Sequence, residues 1–143
     1  MFQYQIINHP ESFTLDESRI ARVFELVSSV PDVQNGILNI AFLGDEEIRV
    51  LNRDHRGIDK KTDVLSFHYY DDFSDISPDD IAGEIILSES RILAQALEHQ
   101  HTPQKECEIL VLHSILHILG YDHEGDEDYE NMWKWEGELR GKL

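Results

Sequence analysis

The sequence predicts an α+β fold: a small mixed four-stranded sheet packed with about five helices, one of them central, buried and carrying histidines. Three observations predict it. Four short runs are apolar or alternating, with the β-branched and aromatic residues that strands favour: 2–7 (FQYQII), 37–43 (ILNIAFL), 62–69 (TDVLSFHY) and 82–87 (AGEIIL). Between and after them lie stretches with helix caps and apolar residues three and four apart. The third is the stretch Cys107 to His123, CEILVLHSILHILGYDH, which is apolar from Ile109 to Leu119 except at His113, Ser114 and His117. A helix apolar on all sides is a buried one.

Taken in order, 2–7 is the first strand. Thr14 and Glu17 have the spacing of a capping box. Ile20, Val23, Phe24 and Val27 follow as the stripe of a helix that Pro31 ends. After strand 37–43, Gly44 and Asp45 open a second helix with Ile48 and Leu51 inward. Arg49, Arg53 and Arg56 share its outer side, and Gly57 stops it. The acidic Ser/Pro stretch 71–80 reads as a mobile loop without chemistry. Ser88 caps a helix carrying Ile92, Leu93, Ala96 and Leu97. His99 and His101 end that helix in a polar corner, where solvation or a contact with the helix C-terminus accounts for them. Thr102 and Pro103 are an N-cap and first-turn pair for the buried helix, and Gly120 provides the left-handed turn at its end. Asp126 caps a last helix with Tyr129, Met132, Trp133 and Leu139 on one side. The two closing strands leave a parallel pairing open, and the strand order is not legible. No repeat or linker divides the chain, so residues 1–143 read as a single domain.

Composition narrows the classes. Hydrophobic content of 41% and charged content of 29% suit a soluble globular protein. No apolar run approaches membrane-spanning length. The N-terminal MFQYQIINHP lacks the basic start and apolar run of a signal peptide. One cysteine, Cys107, excludes an intramolecular disulfide and fits a reducing cytoplasm. The net charge of −17 argues against a nonspecific polyanion binder. Its distribution is uneven: Arg49, Arg53, Arg56, Lys60 and Lys61 cluster, while the acids gather in 71–80 and 122–130. A solvated helix face balanced by Asp45, Glu46 and Glu47 is the plainer account of that basic patch.

The buried helix holds the chemistry. His113 and His117 are four apart and stack on one face. With Gly120 and His123 they form H-x-x-x-H-x-x-G-x-x-H, which the turned chain can close. Three neutral imidazoles with an open fourth position are a catalytic zinc arrangement; a structural zinc site more often has four protein ligands with cysteine. Such an ion lowers the pKa of its water to about 7 and acts as a Lewis acid. In the zinc proteases that share this spacing, a Glu follows the first His as general base. Ser114 stands there instead, which counts against peptide hydrolysis.

These residues carry a resemblance. HSILHILGYDH resembles the H-G-x-L-H-L-x-G-Y-D-H signature of the YbeY family of bacterial rRNA-maturation factors. LNRDHRGIDKKTDVLSF, Leu51 to Phe67, is similar to the family stretch L-N-x-x-Y-R-x-x-D-x-x-T-D-V-L-S-F, and AGEIILS, Ala82 to Ser88, to its G-D-I-x-I-S. The resemblance spans nearly the whole chain. It implies a metallohydrolase domain with His113, His117 and His123 as ligands of one zinc ion, other divalent transition metals being accepted in vitro, and Arg56 as the functional arginine beside the metal. It implies a single-strand-specific, metal-dependent endoribonuclease. Its substrate would be the 3′ end of small-subunit (16S) ribosomal RNA, with a further role in ribosome quality control in the cytoplasm. Ser114 replaces the signature glycine, His55 a common Tyr, His68 a Pro, and Glu84 an Asp; His55 and His68 read as local substitutions.

The residues support those roles. Guanidinium matches phosphate oxygens bidentately and stays charged, so Arg56 can clamp a scissile phosphate. Arg49, Arg53, Lys60 and Lys61 would guide the RNA backbone. Asp63 and Ser66 read as structural, and Asp122 as a turn residue or a support behind the ligands rather than a ligand itself. Two alternatives stand beside the nuclease: a metallopeptidase-like hydrolase, and a non-catalytic ribosome assembly factor with a structural metal, whose negative charge suits basic ribosomal proteins. No organic cofactor or membrane partner is expected.

Overall fold

The structure, a computed structural model, describes residues 1–120 and 134–143. Its elements run β1 (Gln3–Asn8), α1 (Glu17–Val27), β2 (Ile37–Leu43), α2 (Asp45–Arg56), β3 (Val64–His68), β4 (Ile81–Ser88), α3 (Glu89–His99) and α4 (Pro103–Ile118). A further helix, α5, covers 134–140. The sheet order is β1-β2-β4-β3. β1 pairs parallel with β2 and β2 with β4, while β3 runs antiparallel to β4. The fold is therefore α+β with a mixed four-stranded sheet, as expected. The parallel pairing left open for the two closing strands is not formed: no helix lies between them to carry a crossover, and the chain returns as an antiparallel partner.

Alternation along the strands gives the sheet two covered faces. Leu38, Ile40, Phe42, Ile85 and Leu87 join α1 and α4 in the main core. Ala41, Leu65 and Ile86 pack with Ile48 of α2 on the other side. Gly83 of β4 has the β3 backbone against it: a Cβ there would collide with the Phe67 carbonyl oxygen. Helix α4, about 24 Å long from its 16 residues, is buried from Glu106 to Ile118 except at His113 and His117. Thr102 Oγ1 accepts from the Lys105 N–H at 3.1 Å, and Pro103 occupies the first turn. Its C-terminus turns at Gly120, whose φ of +97° only glycine adopts without strain.

Several expectations shift. The N-cap of α1 is Asp16, whose carboxylate accepts from the Ser18 N–H at 3.0 Å, so the capping box of Thr14 and Glu17 does not form. A nearer and stronger cap wins. Leu97 is 82% exposed rather than inward. The 71–80 stretch is not a free loop: Phe73 and Ile76 are buried in the main core, and Phe73 meets Phe2 edge-on at 5.3 Å. Asp126, Tyr129, Met132 and Trp133 lie outside the described residues. Leu139 is buried as expected.

Candidate metal centre and cleft

Helix α4 sets its two histidines apart from the rest of its surface. Val111, Leu112, Ser114, Ile115 and Leu116 are buried, while His113 is half-buried and His117 exposed. The i, i+4 spacing places both rings on one face, 6.0 Å apart between centroids. Two imidazoles on one tetrahedral zinc sit roughly 5 Å apart between ring centres, given nitrogen–zinc distances of about 2.0–2.1 Å. The pair therefore fits a shared ion with little movement. His123 and Asp122 lie outside the described residues. Ser114 points into the core, with its Oγ buried and without a hydrogen-bond partner among the described residues, so it cannot replace a protease's general base.

Sequence reasoning missed Glu136. Its Oε2 lies 3.5 Å from His113 Nδ1. A carboxylate behind a metal-binding imidazole fixes the tautomer and leaves the other ring nitrogen to face the ion. Glu136 comes from α5, far along the chain, and no spacing signal connects it to His113. Both line a cleft of about 320 Å³ together with Asp63, His99, Glu106 and Arg140.

A second group of donors includes two residues of this cleft's lining, His99 and Glu106. His99, His101 and Glu106 each offer a ligand atom, all within 4.8 Å of one another, so they could hold a metal ion. His99 and His101 are thus more than the polar corner expected of them, and no sequence signal marks Glu106. His99 Nδ1 lies 3.2 Å from both Glu106 carboxylate oxygens.

The basic cluster is only partly available. Arg49 donates to Asp59 at 2.6 Å and to Glu46 at 3.1 Å, Arg53 to Asp54 at 3.1 Å, and Lys61 Nζ is 3.7 Å from Asp45. The Arg49 guanidinium, with Arg53 nearby, holds the Asp59 carboxyl below its ordinary range. Arg56 and Lys60 are exposed and have no acidic partner among the described residues. Arg56 ends α2 just before the turn at Gly57. Neither it nor Arg49, Arg53, Lys60 or Lys61 is in the described lining of the cleft. Asp63 accepts from Gln95 Nε2 at 3.3 Å and its carbonyl from the Ser88 N–H at 2.9 Å, a structural role. His55 packs edge-on against Phe67 at 5.2 Å, and His68 Nδ1 lies 3.0 Å from the Tyr70 carbonyl oxygen, both local contacts.

The fold is an α+β sheet carrying a buried helix whose two outward imidazoles, one backed by a carboxylate in a cleft, are spaced so that they could share a metal ion. Residues 5–143 match the family model described as Endoribonuclease YbeY. A Clostridioides difficile protein named Endoribonuclease YbeY is 34% identical over 139 residues, covering 93% of this chain and 91% of its own. One from Chloroflexus aurantiacus is 40% identical over 121 residues, covering 80% and 77%. The solution structure of a Thermotoga maritima protein superposes with a TM-score of 0.60 at 28% identity, covering 99% of this chain and 91% of that one. The chain belongs to the YbeY endoribonuclease family.

Proposed function

We propose that this chain, as one metallohydrolase domain over residues 1–143, is a zinc-dependent endoribonuclease cutting single-stranded RNA. Its substrate is the 3′ end of small-subunit ribosomal RNA, and it serves ribosome quality control in the cytoplasm. Family membership supports the nuclease class. The observation that carries the metal dependence is the His113–His117 pair on one face of a buried helix, with Glu136 behind His113. His123 completes the ligand set. A zinc-class ion bound there supplies Lewis acidity and a water of lowered pKa. His113 is held in register by Glu136, and His117 presents its ring to the solvent side. Arg56 binds a phosphate oxygen of the incoming strand and offsets the charge that develops on the phosphorus oxygens. Lys60 extends that contact along the backbone; Arg49, Arg53 and Lys61 add to it only by exchanging their own carboxylates for phosphate.

That last point favours one competing reading, a ribosome assembly factor that binds basic proteins and cuts nothing. Three cations of the patch are already held by acids, on a chain of net charge −17. The experiment is cleavage of end-labelled single-stranded RNA, duplex RNA and casein by chelator-stripped and zinc-restored protein. Zinc-dependent cutting of the single strand alone is expected. Casein turnover with intact RNA would support a peptidase, and no turnover of any substrate would support the assembly factor.

A further inference from the structure

We propose that His99, His101 and Glu106 form a second metal site, for a zinc-class divalent ion, two of whose residues, His99 and Glu106, line the cleft that holds His113. The inference goes beyond the nuclease reading and does not rest on it.

Glu106 is the starting point. It is 3% exposed, in the first turn of α4, and the only hydrogen-bond partner of its carboxylate among the described residues is His99. A carboxylate removed from water needs a compensating positive charge. Two residues on, the equally buried Glu108 has a permanent one: Arg19 donates to it at 2.9 Å and Gln104 at 3.1 Å. Glu106 has imidazoles instead, and an imidazole is also a metal ligand.

The backbone brings the second imidazole in. Gln100 adopts φ +59°, the one non-glycine positive φ among the described residues. The His101 N–H then bonds back to the Ala96 carbonyl at 2.9 Å. This turn folds His101 beside His99, with ring centroids 5.8 Å apart. Ligand atoms on a tetrahedral zinc are separated by about 3.3 Å. The present spread of up to 4.8 Å closes by movements of about an ångström, within reach of an exposed and a half-buried ring. The carbonyl end of α3 adds a field that favours a cation.

The donor set defines the ion. Two imidazoles and one carboxylate suit zinc, cobalt or nickel, whereas magnesium and calcium take oxygen ligands. Three protein ligands leave a position open to solvent or to a ligand. The cleft needs such a charge: Asp63, Glu98, Glu106 and Glu136 line it against one guanidinium, Arg140. A dication on Glu106 offsets two of those four negative charges and offers an open position to a phosphate oxygen.

The test is a metal count on the full-length protein, stripped by chelator, reloaded with zinc, dialysed and measured by mass spectrometry. Circular dichroism accompanies it as a check on folding. The proposal expects two zinc equivalents in the wild type, one in His101→Ala, and one in the His113→Ala/His117→Ala double variant. Glu106→Gln, which keeps the shape, is expected to bind one as well. Cobalt titration should show two d–d absorption steps in the wild type and one in His101→Ala. One equivalent in both the wild type and His101→Ala, with none in the double variant, would overturn the proposal. One equivalent in the wild type and none in His101→Ala would uphold it and instead remove the metal from His113 and His117.

Discussion

Glu108 and Cys107 sit side by side in α4 and show two ways a polar atom is kept in a core. Glu108 is 2% exposed and held by Arg19 and Gln104. Arg19→Met leaves a buried carboxylate with one amide partner and should cost about 2 kcal/mol in urea unfolding, at the lower end for a half-exposed arginine. Cys107 takes the other route. Burial, with Glu108 nearby, pushes its thiol from 9.0 up to about 12. The unfolded thiol ionises first, so the unfolded state binds fewer protons between those values and stability falls as pH rises through that window. Below 9.0 the native thiol should resist Ellman's reagent until the chain unfolds, and rapid labelling of native protein at pH 8 would contradict this burial. At this scale the sequence was legible where partners lie within one helix. His113 and His117 are visible from their spacing; Glu136 and Glu106 are not, because each meets its histidine from a different helix.

The elements were legible where local signals had no rival. Ser88 and Thr102 cap α3 and α4 as their positions suggest, accepting from the Arg91 and Lys105 N–H groups. The start of α1 was misplaced because Asp16 lies between the two residues of the expected box and caps first. The 71–80 stretch looked like a polar loop because Phe73 and Ile76 are two apolar residues among acids. Phe73 is buried against the far N-terminus, where Phe2 lies, and Ile76 lies beside Gly36. Strand order was not legible either, since β1-β2-β4-β3 is set by contacts between distant segments. Two substitutions test the packing. Gly83→Ala forces a Cβ into the Phe67 carbonyl oxygen, so β3 must move off β4. A loss of about 2–3 kcal/mol is expected, with faster amide exchange along β3. Leu112→Ala removes a fully buried side chain from the helix carrying both histidines. It should cost about 3 kcal/mol and lower zinc affinity, measured by unfolding and by competition with a chromogenic chelator.

For the whole molecule, charge and metal chemistry meet in one account. The body is strongly acidic, and most of its basic patch is internally paired. Under the proposed function, attraction of RNA falls to Arg56, Lys60 and the metal ions the histidine sites would hold, rather than to a general positive field. No described helix is long and apolar enough to cross a membrane. The central claim is that the face of α4 bearing His113 and His117 holds the metal that cuts RNA, with Arg56 on the phosphate. The most direct measurement is cleavage of one labelled single-stranded RNA by zinc-loaded wild type, His117→Ala and Arg56→Ala, purified side by side, with and without chelator. Cutting by the wild type alone, abolished by chelator and reduced at least about a hundredfold in both variants, is the predicted result. Equal cutting by all three proteins would contradict the account and assign the activity to a contaminant.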